Sequence, residues 1–400
     1  MEKSLRKQSA LALVLMGALF AVTLLTTPAQ SAHAANTTMG NATKMTQGVT
    51  YSTTLGYDRY YRIDVPSDGI LTLTFGKKAD GLDNASHNGH DVTINRYESG
   101  STKTVLKDIS ALVKSSVDHI STPIGIKKGT YFLKISECYW QGSKCTETLK
   151  YSFSTNSNWE KEDNNTPSTA TKIKLSQTLS GNLPTATDED WYRISVPQTG
   201  WYSYNFSRNY NKDGYRWVNC WYSNLYKTTD GSFSNDLLKG IYIHSDATGT
   251  KSRQVKLSKG DYYICVSSNG FEDQPKYSIS LNKVASPTAT KISKSKSGKK
   301  SFKVYWSKKS GTSKYEIRVS TKKNMSGSHY YSVGKSRSSL NVKKLVSKKW
   351  YEADKPLKRH TKYYVQVRTV KTLTTPDLYQ STNPYDWKSS WSKVKTVNTK

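Results

Sequence analysis

The sequence predicts an all-β protein made of tandem antiparallel β-sandwiches, and three observations point there. Val, Ile and Thr recur with the chain's 28 tyrosines in short runs that alternate apolar and polar residues, the pattern of half-buried strands. Beyond Leu25 no apolar period of 3.6 is sustained, which argues against a helical architecture. At 400 residues the chain is too long for one sandwich and suits two or three.

Residues 1–34 read as a signal peptide. Lys3, Arg6 and Lys7 form a positive n-region, Ala10 to Leu25 form an apolar h-region, and Ala32-His33-Ala34 puts small residues where a signal peptidase reads. The apolar run is short for a spanning helix. No Cys follows it for lipid attachment, and no second long apolar segment or C-terminal anchoring tail is evident. The expected product is secreted, with no transmembrane span after cleavage, and is either extracellular or held non-covalently at the cell wall.

An internal duplication organises the chain beyond the signal peptide. Tyr60-Tyr61-Arg62-Ile63-Asp64-Val65-Pro66 matches Trp191-Tyr192-Arg193-Ile194-Ser195-Val196-Pro197, and Lys128-Gly129-Thr130-Tyr131 matches Lys259-Gly260-Asp261-Tyr262. Each unit closes on a similar run, Lys150-Tyr151-Ser152-Phe153-Ser154 and Lys276-Tyr277-Ser278-Ile279-Ser280. Tyr61, Ile63 and Val65 are expected to face a core while Arg62 and Asp64 face water, and Tyr192, Ile194 and Val196 do the same against Arg193 and Ser195. Pro then ends the strand, because it cannot donate to a ladder. The units occupy residues 36–157 and 158–284.

This pattern resembles the bacterial pre-peptidase C-terminal (PPC) domain family, jelly-roll-like sandwiches found beside secreted peptidases and in the collagen-binding segments of clostridial collagenases. The resemblance is tighter over the second unit, where Glu160-Lys161-Glu162-Asp163-Asn164-Asn165-Thr166 precedes Ala170-Thr171-Lys172-Ile173, a Gly181 turn and Asp188-Glu189-Asp190-Trp191-Tyr192. It implies calcium at the acidic run. Glu160, Glu162, Asn164, Asn165, Asp188 and Asp190 offer hard oxygen ligands from two chain segments, as a six- to eight-coordinate Ca²⁺ requires. The alternative is a solvated acidic linker. The first unit has the signal peptide where this run belongs, so it is expected to lack the metal site.

Four cysteines remain in a chain read as exported. Cys138 and Cys145 flank a short loop tipped by Tyr139-Trp140, which suggests a local disulfide, and Cys220 with Cys265 would make a second pair. The alternative is four free, half-buried thiols. Zinc is not expected, because the Cys and His spacings do not fit it.

Residues 287–400 follow an Ala285-Ser286-Pro287-Thr288 linker. Phe302-Lys303-Val304-Tyr305-Trp306, Tyr315-Glu316-Ile317-Arg318-Val319, Tyr363-Tyr364-Val365-Gln366-Val367-Arg368 and Trp391-Ser392-Lys393-Val394 read as strands of a third sandwich. With Trp306 as core Trp and Leu357 to Tyr363 as a tyrosine corner, the module resembles a fibronectin type III domain. That resemblance implies a fold and leaves the ligand open.

Charge separates this module from the rest. Lys283 to Lys400 holds 29 Lys and Arg against 5 Asp and Glu, a net +24 in a chain of net +30. Such a field draws polyanions. No His-Glu-x-x-His, Gly-x-Ser-x-Gly or phosphate-cradling glycine loop occurs, and His87-Asn88-Gly89-His90-Asp91 reads as surface loop. The expected function is therefore non-catalytic: attachment to an anionic cell-wall or extracellular polymer, such as a teichoic-acid-bearing wall or a sulfated or uronic glycan. The alternative is an adhesion or accessory protein, acting beside a secreted peptidase or alone, that binds carbohydrate or protein through Trp140, Trp217 and Trp221. Specific nucleic-acid binding is not expected.

Overall fold

The computed structural model describes residues 30–31, 36–55, 58–78, 89–112, 119–136, 145–185, 187–209, 220–227, 237–244, 249–269, 276–347, 349, 351–376 and 382–400. Apart from a single 3-10 turn at Met39–Asn41, the described elements are all strands, and packing divides the chain after Asn156 into two compact units. The first unit holds one apolar core and the second holds two.

The first unit runs β1 (Gln30–Ser31), β2 (Thr43–Lys44), β3 (Tyr51–Leu55), β4 (Arg59–Val65), β5 (Gly69–Lys78), β6 (Gly89–Glu98), β7 (Ser101–Leu112), β8 (His119–Ile126), β9 (Gly129–Ile135) and β10 (Cys145–Ser154). One sheet has the order β1-β3-β10-β5-β8 and the other β2-β4-β9-β6-β7. Tyr61, Ile63 and Val65 of β4 are buried while Arg62 stays exposed, so the alternation in the sequence is the alternation of the pleat.

The second sandwich repeats that plan. It runs β11 (Thr171–Ile173), β12 (Leu179–Gly181), β13 (Glu189–Val196), β14 (Gly200–Asn209), β15 (Cys220–Tyr226), β16 (Leu237–His244), β17 (Gly249–Leu257), β18 (Gly260–Ser268) and β19 (Lys276–Lys283). Its sheets, β11-β13-β18-β15-β16 and β12-β19-β14-β17, match the first unit's strand for strand once β1 is set aside. The matching Lys-Gly steps are built alike. Lys128 N donates to Asp68 Oδ1 at 2.9 Å, and Lys259 N to Thr199 Oγ1 at 3.3 Å. Gly260 opens β18 at φ +151°, a conformation that a side chain would strain.

The third sandwich runs β20 (Ile292–Gly298), β21 (Ser301–Trp306), β22 (Lys314–Ser320), β23 (His329–Gly334), β24 (Ser339–Val342), β25 (Lys344–Leu345), β26 (Lys355–Pro356), β27 (Lys362–Pro376), β28 (Thr382–Lys388) and β29 (Lys395–Asn398). A three-stranded sheet, β20-β21-β24, packs on β23-β22-β27-β28, and β29 pairs with β27. Trp306 is buried, and the buried Tyr363 hydroxyl accepts a hydrogen bond from Lys358 N at 2.9 Å, the corner expected of it. The Ala285–Thr288 linker is held rather than loose. Ala285 O accepts from Lys371 Nζ and Thr288 O from Thr369 Oγ1, while the Trp201 and Tyr385 rings meet at 4.9 Å, joining the second and third sandwiches.

Two expectations are corrected. Cys220 and Cys265 are free thiols, not a disulfide. In the β15–β18 register Cys265 faces Asn224. At about 3.3 Å per residue this sets Cys220 roughly 13 Å away, well past the ~7 Å that a disulfide spans. Trp221 is not a surface anchor: it is 1% exposed in the second core, where its neighbour Tyr222 takes the outward face. Cys138, Trp140, Trp217 and the side chain of Cys145 lie outside the described residues.

Candidate metal centre

The acidic run enters the second sandwich as a clamped strand-like segment. Glu160 N donates to Ser180 O and Ser180 N to Asn158 O, both at 2.8 Å, and Trp191 N donates to Asn164 O at 2.9 Å. These backbone bonds bring the run beside the start of β13. Glu160, Glu162 and Asp190 converge, each offering a carboxylate oxygen within 4.8 Å of the other two. Glu160, Glu162, Asn164, Asp188 and Asp190 are all at most 2% exposed, so the solvated-linker alternative does not hold.

One side of the cluster is fastened and the other is open. Glu160 Oε1 accepts from Asn182 N at 2.8 Å, and its Oε2 accepts from the Tyr192 and Tyr277 hydroxyls at 3.3 and 3.2 Å. Tyr277 also donates to Asp190 Oδ2. Both oxygens of Glu162, both of Asp188, Asp190 Oδ1 and the side-chain oxygens of Asn164, Asn165 and Asn182 are buried without a hydrogen-bond partner. No ion pair among the described residues reaches these carboxylates.

Burial raises the proton affinity of every acid in the group. The Glu160 and Glu162 carboxyls are pushed well above their ordinary range, first by loss of water and then by the charges of Asp190 and Asp188 respectively. Asp188 rises through burial and the nearby Asp190 charge, and Asp190 is pushed up to about 6 by burial, opposed by hydrogen bonds from its neighbours. Four buried carboxylates with no internal cation must hold protons or face an external one. An all-oxygen donor set suits a hard cation such as Ca²⁺ better than zinc or copper, and the unpartnered oxygens fit that role.

Of the six residues expected as ligands, Glu160, Glu162 and Asp190 converge, and Asn164, Asn165 and Asp188 are buried or hold a buried side-chain oxygen on the same two segments. The sequence reading missed Asn182, Tyr192 and Tyr277. It also took Gly181 for a turn, whereas Gly181 ends β12 and leaves room. A Cβ there would sit 2.5 Å from Tyr277 Oη and 2.7 Å from Glu160 Oε2.

The first sandwich shows the same frame with different chemistry. Tyr60 N donates to Asn36 O at 2.8 Å, as Trp191 N does to Asn164 O, so Asn36 stands for Asn164. By that register Arg59 stands where Asp190 does in the second sandwich. Arg59 Nε and Nη1 are buried there without hydrogen-bond partners.

No family model and no curated protein matches the chain. Solved structures do resemble it. The pre-peptidase C-terminal domain of collagenase from Bacillus anthracis matches 28% of this chain and 93% of its own length at 18% identity, with a TM-score of 0.22. The FN1–FN3 domains of chicken CNTN1 match 86% of this chain and 98% of theirs at 12% identity and TM-score 0.21. A segment of two fibronectin type III domains from chicken tenascin matches 50% and 97% at 16% identity and TM-score 0.19. At such scores these likenesses name similar β-sandwich domains and carry no argument about function.

Proposed function

We propose that the chain is a secreted, non-catalytic binding protein that attaches to an anionic cell-wall or extracellular polymer through its basic third sandwich. Calcium, held by the second sandwich, would brace the segment that leads into it. The carrying observation is the uncompensated charge of the third sandwich. Its described acids, Glu316, Glu352, Asp354 and Asp386, are each already in an ion pair. Of the 28 described Lys and Arg from Lys283 onward, only Lys314, Lys344, Lys349, Arg368 and Lys388 have an ion pair among the described residues. No described helix is long and apolar enough to cross a membrane.

The calcium reading rests on the buried, unpartnered oxygens of Glu162, Asp188 and Asp190. A second reading, recognition of a glycan or protein by exposed aromatics, loses Trp221 to the core but keeps one observation in its favour. Tyr222 and Tyr242 face each other across β15 and β16, 36% and 42% exposed. Fractionating producing cells separates the two. Polymer attachment puts the protein in the wall fraction and releases it in a high-salt wash, because exposed charges are screened within about 10 Å at 0.1 M salt. Recovery from the medium alone, or wall binding that resists salt, contradicts it.

A further inference from the structure

The two faces of the third sandwich differ in charge. On the β23-β22-β27-β28 sheet most cations have a partner, Lys362 being an exception. Glu316 accepts from Arg368 and Lys388, Asp386 pairs with Lys314, and the guanidinium carbons of Arg368 and Arg318 lie 4.1 and 4.5 Å from the Trp391 ring centroid.

The β20-β21-β24 sheet carries no acid on its outer face. Lys296 stands directly across from Lys303, and Lys294 across from Tyr305. On the far side Asn341 flanks Lys303 and Ser339 flanks Tyr305. Like charges directly opposite on a sheet repel, and none of these three lysines has an ion pair among the described residues. The Lys294 and Lys303 ammonium groups instead lie 4.8 and 5.2 Å from the Tyr305 ring centroid, within cation–π range. The turn between the strands adds exposed Lys299 and Lys300, and no Asp or Glu occurs from Lys283 until Glu316.

We propose that this face is the polymer-binding surface and that its partner is a flexible polyol-phosphate polymer of the teichoic type. The proposal deepens the attachment reading above and rests on it. Three features select that chemistry. The cations are all lysines, compact point charges that suit phosphodiesters, whereas paired recognition of carboxylate or sulfate favours the arginine fork. The Tyr305 ring is already covered by ammonium groups, so it offers no open platform for a sugar ring. Alternate residues on one strand face recur at about 6.6 Å and neighbouring strands at about 4.8 Å, a flat array of charges that a flexible chain can follow.

The test compares K294Q/K296Q/K303Q with an equal-charge control, K322Q/K323Q/K335Q, whose lysines are exposed elsewhere on the same sandwich. Both full-length variants are titrated with poly(glycerol phosphate) across a salt series, and unchanged melting temperatures certify their folds. Each lost phosphate contact lowers the slope of log K against log salt by about 0.7 on a flexible single chain, so the face variant should lose about 2 and the control far less. Equal losses overturn the face while leaving the attachment reading intact. Tighter binding of the unaltered protein to polygalacturonate or duplex DNA at matched charge overturns the partner. No binding to any of the three overturns both.

Discussion

Glu160, Glu162, Asp188 and Asp190 are shut away from water, where an ionised carboxylate costs several kcal/mol unless a cation faces it. Excess calcium should therefore raise the melting temperature of the second sandwich, by about 2.7 kcal/mol of stability at a hundred times Kd. E162Q and D188N should abolish that shift in calorimetry, and sensitised terbium luminescence should be lost with it. The same acids set a pH dependence. Their folded-state proton affinities lie above the unfolded values near pH 4, with Asp190 at about 6, so between those limits the folded, metal-free form holds more protons and loses stability as pH rises. With chelator present, the second sandwich should melt higher at about pH 5 than at about pH 7.5, and calcium should raise it more at the higher pH. A flat profile contradicts the arrangement. Gly181→Ala should destabilise by about 1–3 kcal/mol through overpacking, read by denaturant titration. The buried acids were legible because they form two dense runs that interrupt the strand pattern. Asn182 and Tyr277 were not, because they sit just past β12 and on β19, where nothing local marks a residue that reaches a distant carboxylate.

The strands themselves were read well where one face is buried. Tyr61-Ile63-Val65 and Tyr192-Ile194-Val196 alternate in the sequence as they do in the pleat, and the Val-Pro and Lys-Gly steps mark their ends. What strands share could not be read so directly. Trp221 belongs to an alternating run that looks the same whether its aromatic points in or out, and register decides. Trp221→Ala should cost about 3–5 kcal/mol in the second sandwich, as a large core truncation does. A loss below ~1 kcal/mol would place the ring on the surface. Register also separates Cys220 from Cys265. Burial pushes the Cys265 thiol up, so it should resist alkylation in the folded protein and react on denaturation. Intact-mass analysis of unreduced protein joined at these two positions would contradict the β15–β18 pairing.

At the scale of the molecule the sequence shows where charge accumulates but not how it is arranged. The net +24 of residues 283–400 was legible by counting. That Glu316 and Asp386 are spent on one sheet, leaving the other wholly cationic, requires the fold. The duplication was legible too, yet the two sandwiches differ in kind. The second gathers the carboxylates of Glu160, Glu162 and Asp190, and the first sets Arg59 at the place of Asp190, so chelator should shift only the melting of the second. The central claim is that an uncompensated cationic sandwich holds this protein to an anionic polymer. The most direct measurement is the binding of the full-length protein to purified, protein-free wall polymer across a salt series. The account predicts a straight line of log K against log salt with a steep negative slope, several phosphate contacts in size. Affinity that stays flat as salt rises would contradict it.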